Sequence, residues 1–193
     1  DEDFNSLYIG VGNGAPWPRG IRSPGGGDDL FLASIVSVNV ETGRMNWFYQ
    51  TVPGDNWDYS SAMDITLGEI ELNGEIRKVL LQAPKNGFFY ILDREDGELL
   101  RAHAYTDGIT WATHVDMETG RPVENPDAVY ETDPQWILPA NSGAHNWEPQ
   151  SWDNDQGLMY FYYHDIANFY SLDETFVKTG VYEIRERGLS LGW

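Results

Sequence analysis

The 193-residue sequence predicts an all-β chain built as a propeller. Three observations carry that expectation. Short apolar runs are divided by Gly, Asn and Asp turns; Asn73-Gly74 gives a two-residue hairpin signal; and one turn motif recurs four times. Strong helical periodicity is absent, and only the segment after Asp165 stays ambiguous.

The first strand is Leu7–Val11, inside "LYIGVGNGAPWPRG" (Leu7–Gly20). Gly10, Gly12 and Ala15 fit the dinucleotide pattern G-x-G-x-x-[GA], and Asp28 and Asp29 lie near where a ribose-binding acid is expected. A phosphate-cradling loop must open into a helix, whose N-terminus supplies the N–H groups. Pro16, Pro18, Gly20, Pro24 and Gly25-Gly26-Gly27 leave no helix of useful length. The stretch therefore reads as a strand running into a long ordered loop.

Further strands are expected at Phe31–Asn39, Asn46–Thr51, Ile65–Leu72 and Ile76–Gln82, then at Phe88–Leu92, Leu99–Tyr105 and Leu158–His164. Asn73-Gly74 joins two of them through a type I′ turn, which needs φ > 0 at both central residues. "VLLQA" and "GFFYIL" are apolar without strict alternation, as in strands buried on both faces.

The recurring motif begins with "SVNVETGRMNW" (Ser37–Trp47), which has Asn third, Thr-Gly sixth and seventh, and Trp eleventh. "ILDREDGELLR" (Ile91–Arg101) keeps Asp and Gly, and "HVDMETGRPVE" (His114–Glu124) keeps Asp, Thr and Gly. "SWDNDQGLMYF" (Ser151–Phe161) keeps Asp and Gly and ends in an aromatic. Each is a tight turn between two strands, with Asp or Asn capping and Gly at φ > 0. A terminal Trp can then wedge against the next repeat. Irregular spacing favours propeller blades carrying insertions.

Composition narrows the partners. Hydrophobic content of 41% with 14% aromatic supports a real core. Twelve basic residues against 31 acidic give a net charge of −19, which disfavours nucleic acid and anionic membrane surfaces. A cation or a basic protein suits this surface better. There is no cysteine and no apolar run long enough to span a bilayer. The chain starts at Asp1 and ends at "GLSLGW", which reads as a mature segment or a fragment.

Taken by type, several residues keep more than one reading. Asn13 could be a turn residue between two glycines, and Asp55 and Asp58 could be caps or solvated turn residues. Lys85 could be a surface lysine at a strand end, although its apolar, glycine-rich setting is unusual for one. Trp147 could be core. His103, His114, His145 and His164 have no metal-ligand spacing and read as structural or exposed. Trp17, Trp57 and Trp111 read as core packing.

The repeats resemble the tryptophan-docking motifs of quinoprotein alcohol dehydrogenases, which use pyrroloquinoline quinone (PQQ). More specific are "GVGNGAPW", "SPGGGDDLF", "WFYQTVPGDNWDY", "QAPKNGFFYILDR" and "SGAHNWEPQSW". The pattern is most similar to the quinohaemoprotein members, through Lys85 in place of an arginine. This resemblance implies an eight-bladed propeller, with three to four blades here and residues 1–193 as one partial domain. It implies calcium bound through Asn13 and Asp58, with Asp58 as general base for a small primary or secondary alcohol. Lys85, Asn146 and Trp147 are implied as cofactor-binding. A cytochrome c acceptor and a periplasmic location are also implied.

In the family pattern an acidic calcium ligand, an adjacent-cysteine disulfide ring and a tryptophan beneath the quinone lie upstream. Haem-carrying members add haem c through C-x-x-C-H, a motif not present in these 193 residues. The isolated chain is accordingly expected to be marginal in stability and inactive. Lanthanide-using relatives carry D-x-D at the base. Asp58-Tyr59-Ser60 lacks the second carboxylate, which points to calcium. Two other classes remain: a non-enzymatic propeller scaffold of the cell envelope, and a carbohydrate-binding β-sandwich. The scaffold would have no reason to combine Asn13, Asp58, Lys85 and "GAHNW", and the sandwich predicts exposed aromatic platforms.

Overall fold

The computed structural model describes residues 1–172. The "GLSLGW" terminus and the last part of the 1–193 domain lie outside them. The described chain is built from antiparallel sheets, as the alternation of short apolar runs and turns predicts.

The first sheet orders β1 (Ser6–Gly10), β2 (Ser34–Asn39) and β3 (Met45–Gln50) side by side. Next comes a four-stranded blade of β4 (Thr66–Leu72), β5 (Glu75–Gln82), β6 (Phe88–Asp93) and β7 (Leu99–Ala104), in sequential order. Asn73 and Gly74 both adopt positive φ, at 55° and 86°, and close the β4–β5 hairpin with Leu72 opposite Glu75. β5 becomes fully buried from Val79 to Gln82, as expected for "VLLQA". β6 instead alternates between buried and half-buried positions, so one of its faces is partly open.

Three smaller pairs complete the arc. They are β8 (Ala112–Asp116) with β9 (Arg121–Glu124), β10 (Gln135–Ile137) with β13 (Asn168–Tyr170), and β11 (Ser151–Asp153) with β12 (Leu158–Tyr160). The strand expected to reach His164 stops at Tyr160. β8, β9, β10, β11 and β13 are not apparent from apolar runs, because each is five residues or shorter and carries polar or charged residues among the apolar ones. The segment after Asp165, left ambiguous by sequence, contributes β13. The proline-rich loop holds one helical turn, α1 (Arg19–Arg22), and Pro24 stands two residues beyond it. No helix among the described residues is long and apolar enough to cross a membrane.

All four repeats form the same turn. Asn39, Asp93, Asp116 and Asp153 each accept backbone N–H bonds on a side-chain oxygen two residues onward. The glycines four residues after them sit at φ 67°, 79°, 69° and 66°, a region costly for any residue with a Cβ. Each glycine N–H also returns to the backbone carbonyl of the capping residue.

The docking expectation holds at the first repeat. A Cβ on Gly97 would lie 2.6 Å from the Trp47 ring, so the indole seats directly on the bare turn of the next blade. Its Nε1–H donates to Arg94 O at 3.2 Å. Tyr49, from the same strand, reaches the third turn and donates to Gly120 O at 2.7 Å. The core runs between the sheets, where Trp57 and Trp111 pack at 5.0 Å between ring centroids and Tyr59 lies 5.5 Å from Trp111. Trp17, Trp57 and Trp111 are all buried, as their core reading requires.

Candidate active site

Three loops meet at one end of the arc. The first follows β1, where Val11 N donates to Ser34 O and Gly12 O accepts from Ala33 N, so the loop leaves the sheet already anchored. Val11 O in turn accepts from Ser61 N at 3.0 Å, bringing Asn13 beside the second loop. There the Ser60 hydroxyl donates to Asn13 Oδ1 at 3.3 Å, while Asn13 Nδ2 donates to Gly14 O.

The second loop is Pro53–Ser61, and it is buried throughout. Asp55 Oδ1 accepts from Trp57 N and from Tyr59 N, both at 3.1 Å. This is the turn geometry expected of Asp55. Asp58 lies between those two donors with φ of 69°, a left-handed conformation that is uncommon outside glycine. Burial pushes the Asp55 carboxyl up to about 7, against the pull of its two backbone donors. Burial likewise raises Asp58 to about 6, and Lys85 opposes the shift.

The third loop joins β5 to β6 and carries Lys85. Its ammonium donates to Asp58 Oδ2 at 3.2 Å and to Asp58 O at 3.1 Å. Both side chains are largely buried, so this is not a solvated surface pair. Lys85 is thus no surface lysine. Its stem lies against Gly143, where a Cβ would fall 2.4 Å from Lys85 Cγ. Ala144 N donates to Lys85 O at 3.0 Å and ties the "GAHNW" segment to the same point.

Asn13, Asp58 and Lys85 are therefore brought together, with the 142–147 segment fastened alongside. Asn146 and Trp147 belong to that segment without touching the ion pair. Asn146 Nδ2 donates to Ser142 O, its backbone N donates to Glu148 Oε2, and Trp147 is 80% exposed. The core reading of Trp147 is excluded by that exposure. His145 is buried, with its ring nitrogens 2.6 Å from Ala83 O and 2.9 Å from Glu148 O, a structural role. His103 and His114 are exposed and His164 is half-buried.

The sequence reading did not identify the hydroxyls that clasp the second loop. Tyr130 donates to Asn56 O at 2.7 Å, Tyr170 to Trp57 O at 2.9 Å, and Tyr59 to Pro139 O at 2.5 Å. Trp57 Nε1 donates to Ala128 O. No local spacing signals them, because the partners stand 71 to 113 positions apart.

A family model described as the glucose/ethanol/alcohol dehydrogenase β-propeller domain, of the PQQ type, matches residues 1–102. The chain belongs to this PQQ propeller family. Within it, the chain is 48% identical over 170 residues to the quinohemoprotein alcohol dehydrogenase ADH IIB of Pseudomonas putida, covering 88% of this chain and 24% of the relative. The solved quinohemoprotein alcohol dehydrogenase ADHIIG of Pseudomonas putida HK5 superposes with a TM-score of 0.87 at 46% identity, over 90% of this chain and 26% of that one. A europium-containing methanol dehydrogenase superposes with a TM-score of 0.79 at 26% identity, over 89% and 33%. The chain spans about a quarter of the length of the curated relatives it matches. As a PQQ propeller it is an arc of the ring.

The residues present suit the group that this PQQ family uses. Asn13 Oδ1 and the Asp58 carboxylate are hard oxygen donors of the kind calcium takes. Among the described residues no cluster of three His, Cys, Asp or Glu side chains could hold a metal. Lys85 adds a buried cation suited to a polyanionic quinone.

Proposed function

We propose that this chain forms one wall of the active site of a PQQ- and calcium-dependent dehydrogenase. It oxidises primary alcohols, and secondary ones, to aldehydes and ketones. The observation that carries this reading is the buried Asp58–Lys85 pair beside Asn13.

Asn13 and Asp58 would hold the calcium ion, with a further acidic ligand from outside these 193 residues. Bound PQQ would supply the acceptor for the carbinol hydrogen that leaves the alcohol as hydride, with calcium as Lewis acid. Asp58 Oδ takes the proton of the alcohol hydroxyl, and Lys85 faces the negative charge that grows opposite it. Asn146 and Trp147 border the cofactor, and the Trp147 indole is 80% exposed. Residues 1–193 constitute part of one propeller domain. A cytochrome c accepts the electrons, any haem c is carried outside these 193 residues, and the protein works in the periplasm.

The test is Asp58→Asn in the full-length holoenzyme. Quinone should remain bound at full stoichiometry while alcohol turnover falls roughly 10²–10⁴-fold, the worth of a positioned base. Near-normal turnover would remove Asp58 from the mechanism.

A further inference from the structure

We propose that Asp55 is a positioning residue that locks Asp58 in the conformation its chemistry needs. The proposal rests on the reading of Asp58 as the base. It starts from an outlier: Asp58 is a non-glycine residue at φ of 69° inside a buried loop. Such conformations persist where the surroundings over-determine them.

Asp55 provides that over-determination. Its Oδ1 accepts Trp57 N–H and Tyr59 N–H, both at 3.1 Å. These are the amides on either side of Asp58, so one oxygen fixes the chain on both flanks of a single residue. Lys85 Nζ reaches the backbone carbonyl and the carboxylate of Asp58 together, at 3.1 and 3.2 Å.

The other anchors of the loop act on its neighbours. Tyr130 and Arg19 N hold Asn56, Tyr170 and Ala128 hold Trp57, and Pro139 holds the Tyr59 hydroxyl. Among the described residues, Asp55 is the one side chain that accepts from the amides of both neighbours of Asp58. Its second oxygen, Oδ2, is buried without a hydrogen-bond partner among the described residues. A turn cap at a solvated loop would carry no such cost, and a buried unpaired oxygen invites a functional explanation.

The experiment compares Asp55→Ala and Asp55→Asn in the full-length holoenzyme loaded with PQQ and calcium. Asp55→Ala should lower kcat per bound quinone by about 10²-fold, the effect of misplacing a reacting group by an ångström, with KM for alcohol little changed. Asp55→Asn should restore most of that loss, because an amide oxygen accepts the same two N–H groups. Crystal structures of the two variants give a readout independent of turnover. Asp58 should stay left-handed with asparagine at position 55 and leave that region with alanine. If Asp55→Ala gives no folded holoenzyme, Asp55→Ser takes its place, with an expected loss of about tenfold in kcat per bound quinone.

Unchanged kcat per bound quinone in Asp55→Ala, or in Asp55→Ser where that stands in, overturns the inference. So do equal losses in the alanine and asparagine variants, or a left-handed Asp58 in the alanine variant. Asp58→Asn, measured alongside, separates the two claims. An inactive Asp58→Asn with a fully active Asp55→Ala sinks only the positioning role, whereas a fully active Asp58→Asn sinks the base itself.

Discussion

Lys85 carries its charge into a buried setting and meets two oxygens of one residue there. Lys85→Ala in the full-length enzyme should slow cofactor reduction roughly 10²-fold, the scale for removing one charge-stabilising donor, and change substrate binding less. Stopped-flow quinone absorbance beside KM checks this, and a rise in KM with unchanged reduction would refute it. On the proposed reading, Ser60 selects the metal. Its hydroxyl donates to Asn13 Oδ1 where lanthanide-using relatives carry a second carboxylate, and a neutral oxygen suits a divalent ion. Apo-enzyme reconstituted with PQQ should regain activity with calcium, and Ser60→Asp should move the preference towards a light lanthanide. Recovery of the unmodified enzyme only with the lanthanide would reverse the assignment. Asn13, Asp58 and Lys85 stood out in sequence through the family resemblance of the motifs they lie in; taken by type, each kept a second reading. The bracketing of Asp58 by Asp55 was not legible there, since a backbone φ leaves no mark on residue type when the residue is aspartate.

Among the elements, the repeated turn is the unit that sequence reported best. Its capping oxygen and its φ > 0 glycine are local requirements, and both appear wherever the motif occurs. The docking of Trp47 on Gly97 can be weighed against a control at Gly43. Both glycines are left-handed, but a Cβ at Gly43 meets nothing within 4 Å, whereas one at Gly97 meets the indole. Gly43→Ala should cost about 1 kcal/mol of backbone strain. Gly97→Ala should cost about 3 kcal/mol, because overpacking adds to strain. Urea unfolding of the full-length protein measures both. In a Trp47→Ala background the excess at Gly97 should vanish, and equal costs at the two glycines would show that the indole does not dock there. The short strands β8 to β11 and β13 were invisible as apolar runs because pairing and neighbouring aromatics, more than their own composition, hold them in place.

At the scale of the molecule, the chain spans about a quarter of its curated relatives and presents a partial ring of blades. Two oxygen side chains fall short of the six to eight that calcium takes. The isolated 193 residues should therefore bind calcium no tighter than about 10⁻³ M and oxidise no alcohol in a dye-linked assay. Calorimetry measures the first, and robust turnover would show the site to be complete without further chain. The propeller class could be seen from the repeats, whereas the convergence of the three loops depends on partners far apart in sequence. Those partners also impose an order of events. Trp57 is held by Tyr170, which follows it by 113 positions, and Asn56 is held by Tyr130, which follows it by 74. During synthesis the segment bearing Asp58 leaves the ribosome long before the hydroxyls that fasten it. Closing loops of that length is slow and delays the contacts that reward it. The corner that holds Asp58 is thus set late, after the neighbouring four-stranded blade has had the chance to form from contacts close in sequence.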